Sequence, residues 1–136
     1  MKNSNLIKYV CCLLALSSVA AHAEWQEVGK SQQGSAYVDL DTIVKSGSVV
    51  RMSTMLDMKR VQNIGENSYL SIASVEEFDC QSKMMRQISA KYYEGNLSSG
   101  RVSHFSDETD WFKVSTQTSD WLSWAVACGK ASKKNN

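Results

Sequence analysis

A chain of 136 residues, with 15 basic and 14 acidic side chains, has room for one domain around a single modest core. A formal charge of +1 supplies no basic field for nucleic acid, and no polybasic membrane patch outside the short C-terminal tail. Proline is absent, so turns fall to Gly, Asn, Ser and Asp.

Residues 1–23 read as an export signal. Lys2 and Lys8 form a positive start, Tyr9 to Val19 is an apolar run too short to span a bilayer, and Ala21-His22-Ala23 has the small-x-small form of a cleavage site. Cleavage is expected before Glu24. Cys11 and Cys12 follow Tyr9 and Val10 rather than a small residue, so they read as part of the removed apolar run and not as lipid acceptors. Loss of Lys2 and Lys8 takes the balance from +1 to −1. Two cysteines then remain, Cys80 and Cys128, and in an exported chain they predict one disulfide. Closing a loop of this length contributes on the order of 4 kcal/mol on the chain-entropy model. A redox role would call for a close C-x-x-C spacing, which is absent.

Along the remaining chain, Glu24–Val28 reads as a short strand and Gly29–Gly34 as a polar turn. Ala36–Leu40 alternates, and Thr42-Ile43-Val44 reads as a helical turn or a bend before a turn at Lys45–Ser48. Val49–Lys59 is the clearest strand: Val50, Met52, Thr54, Leu56 and Met58 share the bulkier face. Met52, Met55 and Met58 also have helical spacing, but the β-branched start and polar alternation favour a strand. Arg60–Asn67 reads as a loop carrying Val61 and Ile64, with Gly65 and Asn67 for its turn.

Ser68–Cys80 and the stretch up to Tyr93 read as two long strands joined at Gln81-Ser82. Met84, Arg86, Ile88, Ala90 and Tyr92 are expected on one face of the second. Turns at Glu94–Asn96 and Ser98–Gly100 lead to a strand over Arg101–Ser106, and Asp110-Trp111-Phe112 reads as a helical turn. A final short helix is capped by Ser119 or Thr118, carries Trp121, Trp124, Ala125 and Cys128 on one stripe, and stops at Gly129. Alone it is too short to persist in water, so it must dock on the sheet. The expected fold is α+β: a single antiparallel sheet of five to six strands, with one C-terminal helix packed on one face and tied by the disulfide. Residues 24–129 form the domain and 130–136 a basic tail. Val50, Met52, Leu56, Leu70, Ile72, Ile88 and Trp124 are expected to be mostly buried. Arg51, Asp57, Glu77 and Lys91 lie on the opposite face.

No catalytic constellation is visible. His104 stands alone in the processed chain, which excludes a nucleophile–base–orienter set and, with both cysteines paired, a zinc site. Asp39 and Asp41 share a strand face, but no glycine-bearing calcium loop follows them. Glu76, with Arg86 on the next strand, is read as a cross-strand ion pair. No cofactor is implied. The residues left for recognition are Val61 and Ile64, apolar in a polar stretch, and the aromatics Tyr93 and Trp111.

Ala36-Tyr37-Val38-Asp39 through Thr42-Ile43, then Val49-Val50-Arg51 after a glycine turn, form an ordered series. It continues with Tyr69-Leu70-Ser71, Glu76-Glu77-Phe78-Asp79-Cys80, Arg86, Tyr92-Tyr93, and Trp111 ahead of a tryptophan-bearing segment ending in Cys128. This order and spacing resembles the surface-adhesin protein E family of Gram-negative bacteria. The resemblance implies an antiparallel sheet with a C-terminal helix, a cysteine pair joining them, an envelope location, and adhesion to host matrix proteins. Leu40 stands where the family commonly has proline. The first reading is therefore a non-enzymatic envelope protein, in the periplasm, on the outer-membrane surface or released, that acts by protein–protein contact. Host matrix proteins or another envelope protein are its partners. The second reading is a periplasmic module that binds a small ligand or inhibits an enzyme, for which a closed apolar cleft would be the mark.

Overall fold

The computed structural model describes residues 23–130. Apart from Ala23, the expected export signal lies outside the described residues, and so does the tail beyond Lys130. The elements are β1 (Trp25–Lys30), β2 (Gly34–Ser46), β3 (Val49–Ile64), β4 (Asn67–Asp79), β5 (Met84–Tyr93), β6 (Val102–Ser106), β7 (Phe112–Lys113) and α1 (Ser119–Ala127). The first six form one antiparallel sheet in sequence order, and β7 extends it by pairing with Met84 and Met85 of β5. Short connections make each pair antiparallel neighbours.

The alternation along β3 places Val50 and Met52 under the helix. Val50 lies opposite Phe78 of β4, which lies opposite Met85 of β5. With Val38, Trp124, Ala125 and Ala127 they make the core beneath α1. Thr118 caps the helix, its hydroxyl accepting from the Trp121 N–H at 3.2 Å. Gly129 closes it in the left-handed region that glycine favours, with φ +65. The Trp124 indole donates to the Asp79 carbonyl at 3.1 Å, and Cys80 is bonded to Cys128 with Cα atoms 5.4 Å apart. The helix end is thus fixed to the β4–β5 turn by a side-chain hydrogen bond and a covalent bond.

Several local readings change. Arg60–Asn67 is not a loop: β3 runs to Ile64 and β4 starts at Asn67, leaving only Gly65 and Glu66 between the strands. Gly65 takes φ +58, which a tight turn requires. Thr42–Val44 stays within β2. The irregularity lies between Asp39 and Val44, where the Thr42 hydroxyl donates to the Asp39 carbonyl and accepts from the Ser53 N–H. Asp110 and Trp111 form no helical turn and lead into β7, which begins at Phe112.

Val50, Met52 and Trp124 are buried as expected, whereas Leu56, Leu70, Ile72 and Ile88 are half-buried. The nine-residue helix packs mainly over β1, β2 and β3, so Leu56 and Ile72, partners in register, lie at its edge. Ile88 is the unpaired residue of a β-bulge: Val75 faces Ser89 and Glu76 faces Gln87. That bulge reverses the expected facing of β5 before Ser89. Met85 enters the core, and Arg86 turns to the opposite side.

Candidate functional site

The sheet face away from α1 carries a cross-strand row of charges. Glu77 stands opposite Arg51 on one side and Arg86 on the other. Its Oε1 accepts from Arg51 Nη2 at 2.6 Å and Nε at 3.1 Å, and its Oε2 accepts from Arg86 Nη2 at 2.7 Å and Nε at 2.8 Å. Arg86 also donates to Glu108, and its guanidinium lies 5.0 Å from the Trp111 ring centroid, a cation–π contact. The Arg51 hydrogen bond is the main reason the Glu77 carboxyl is held below the usual carboxylate range. The expected pair of Glu76 with Arg86 is therefore replaced by Glu77 with Arg86. The bulge at Ile88 is the cause, because it shifts β5 by one residue and sets Arg86 across from Glu77 and Gln87 across from Glu76.

Phe105 of β6 lies across from Lys91 on this same face and is 64% exposed. It was not among the expected recognition residues. Its alternation with His104 was the available signal, since His104 packs edge-on against Tyr92 at 5.2 Å and so leaves Phe105 pointing the other way.

At the far end of the sheet, β3 and β4 outrun their neighbours. The last β2 partner on β3 is Met58, facing Gly34, and the last β5 partner on β4 is Ser71, facing Tyr93. Beyond them Gln62, Asn63 and Ile64 pair only with Tyr69, Ser68 and Asn67. The result is a projecting two-stranded arm. Val61 on it is 57% exposed, and Ile64 near the tip is half-buried.

The Glu94–Gly100 connection folds over the root of this arm. Asp57 Oδ1 accepts from the Leu97 N–H at 2.7 Å and from Asn96 Nδ2 at 3.0 Å, while the Ser71 hydroxyl donates to the Gly95 carbonyl at 2.6 Å. This cover buries Met55, which strand alternation alone assigns to the wet face. Leu97 is left 54% exposed beside it, at φ +51.

Val61, Ile64 and Tyr93 thus lie at the arm end of the molecule. Trp111 sits apart from them with Arg86, six residues down β4 from Ser71 in register, or about 20 Å at ~3.3 Å per residue. Asp39 is buried, its carboxylate accepting from the Asp41 N–H, and Asp41 is exposed, so the two do not converge. Among the described residues no group of three or more His, Cys, Asp or Glu side chains could hold a metal ion, and no helix is long and apolar enough to cross a membrane.

These features define a disulfide-tied antiparallel sheet with a docked C-terminal helix, an arginine–aromatic face and a projecting arm. The family model for surface-adhesin protein E matches residues 25–129, so the chain belongs to that family. Its fold is similar to Haemophilus influenzae protein E, with 12% identity over 82% of this chain and 91% of that chain, at a TM-score of 0.59. Crystal form II of that protein gives 10% identity over 79% and 89%, at 0.60. Protein E from non-typeable Haemophilus influenzae gives 11% identity over 82% and 79%, at 0.56. No curated protein matches the chain.

Proposed function

We propose that this chain is an exported envelope adhesin that acts by protein–protein contact with a host extracellular-matrix protein. Family membership across the whole domain is the observation that carries this reading. The projecting arm, with Val61 and Ile64, is its first contact element, and the face away from α1, with Arg51, Arg86, Trp111 and Phe105, is its second. Both offer what binding surfaces use: apolar or aromatic area and arginine on a scaffold that stays rigid. Catalysis is not part of the proposal. The test is binding of the purified protein to a panel of immobilised matrix proteins, together with protease treatment of intact cells. Saturable binding at micromolar concentration and cleavage of the protein on intact cells are expected. No binding to any member of the panel, or protection on intact cells, overturns the reading.

A further inference from the structure

The arm has an edge with no neighbour. Its two-residue turn, Gly65-Glu66, closes on a hydrogen-bonded pair, Ile64 with Asn67. Hydrogen-bonded and open pairs alternate along an antiparallel ladder, so the next pair, Asn63 with Ser68, directs its backbone N–H and C=O groups outward. No strand lies beside Asn63 on that side. β2 pairs with β3 only as far as Met58, and the Lys59 N–H makes the last backbone bond to the β1–β2 turn, at the Gln33 carbonyl, 3.0 Å. From Arg60 to Ile64 the open edge runs for about 17 Å at ~3.3 Å per residue.

Side chains serve this edge where a strand is missing. The Gln62 amide donates to the Arg60 carbonyl at 3.0 Å, so that acceptor is met by a side chain. A cavity of about 200 Å³ lies at the root of the same edge, lined by Gln32 and Gln33 of the β1–β2 turn and by Arg60 and Gln62 of β3. It is smaller than the range of about 300–1,000 Å³ usual for small-molecule sites, and it suits one side chain. Its three amides both donate and accept, as a peptide segment requires. Among the described residues no carboxylate lines it, and Arg60 makes no ion pair. Glu66, the acidic residue of the arm, is at the far tip.

We propose that the arm takes its partner as an added strand: an extended peptide segment pairs along Arg60–Ile64 and seats an acidic side chain in the cavity of Gln32, Gln33, Arg60 and Gln62. A hairpin of two strands is marginal in water and a third strand strengthens it, so binding supplies the neighbour that the sheet lacks there. Backbone bonds to Asn63 hold the segment, and the arginine at the root selects its charge and fixes its register. The inference rests on the arm as the first contact element of the adhesive reading, and it names the chemistry that the arm recognises.

The probe is a decapeptide selected from a random phage-displayed library on the purified protein, then synthesised and titrated by fluorescence anisotropy. Saturable binding is expected, with an acidic residue in the selected sequence and slowed amide exchange at Asn63. Replacing that acidic residue by its amide, or Arg60→Glu in the protein, is expected to weaken binding at least about ten-fold. Asn63→Pro removes the outward donor and leaves the backbone bonds within the hairpin in place, so it is expected to abolish binding at an almost unchanged melting temperature. Ser68→Pro, on the other edge of the arm, is expected to leave binding unchanged. Should Asn63→Pro fail to fold, N-methylation of alternate peptide amides decides, because only one of the two frames is expected to abolish binding. No selected peptide, slowed exchange centred elsewhere, full binding by Asn63→Pro or full binding in both N-methylated frames overturns the proposal. Self-association of the chain through the arm that excludes the peptide overturns it too. Matrix binding that Asn63→Pro retains overturns the added strand and leaves the adhesive reading standing. Peptide binding at this edge without matrix binding supports the added strand and overturns the adhesive reading.

Discussion

Glu76 stands on the helix side of β4, across from the fully buried Met52 on one strand and Gln87 on the other. Burial is the main cause that pushes its carboxyl up to about 7; Thr54 hydrogen-bonds to it and opposes the shift, and Asp120 of α1 adds to it. Asp120 is itself raised by burial. A carboxyl raised in the fold favours the folded state through its proton. The penalty for ionising it is absent below about pH 4.5, grows as pH rises towards 7, and is constant above that. Wild-type stability is therefore expected to fall between pH 5 and pH 8 by an amount on the order of 2–3 kcal/mol. Glu76→Gln is expected to remove most of that fall in denaturant titrations at the two pH values, leaving what Asp120 contributes. A variant whose stability falls as far as wild type contradicts the burial. Its neighbour behaves in the opposite way. Glu77 is nearly buried between two arginines, so Glu77→Ala leaves Arg51 unpaired and Arg86 with Glu108 alone, and is expected to cost about 1–3 kcal/mol at pH 7. Loss on removing Glu77 and gain on neutralising Glu76, measured by thermal unfolding at neutral pH, is the signature of this register. The reverse pattern would place Arg86 across from Glu76.

The elements show what sequence can and cannot convey. Strand β3 was legible because its alternation is strict and one face is bulky, and α1 because its stripe, cap and terminal glycine agree. The cysteine pair was legible because only two cysteines follow the expected export signal. The bulge at Ile88 was not legible: nothing in Gln87-Ile88-Ser89 departs from a regular strand, and one unpaired residue moves every side chain beyond it to the other face. The arm was half legible. Val61 and Ile64 drew attention as apolar residues in a polar stretch, but the glycine turn was read as the middle of a loop instead of the tip of a hairpin. Leu97 gave no signal, since its exposure depends on a loop held by Asp57 from another strand. The tie between α1 and β4 leads to a further expectation. The helix is nine residues long and needs its dock to persist. Replacing Cys80 and Cys128 together by serine is expected to lower stability by about 4 kcal/mol. The loss should appear in both the helical circular-dichroism signal and the tryptophan fluorescence of Trp124. Unchanged unfolding under reducing conditions contradicts a structural role for the bond.

At the scale of the whole molecule, one rigid sheet separates its surfaces. The helix occupies one side, and the arginine–aromatic row occupies the other. The arm extends past both. Strands that outrun their neighbours contribute little to the core, so the arm can vary or be blocked without unfolding the domain. This separation makes the adhesive reading testable apart from stability. The most direct measurement compares wild type with the Val61→Asp, Ile64→Asp double variant for binding to an immobilised matrix protein, with the melting temperature taken on the same samples. The arm account predicts binding weakened at least about ten-fold, equivalent to about 1.4 kcal/mol, with the melting temperature almost unchanged. Equal binding by the double variant at an unchanged melting temperature would contradict it.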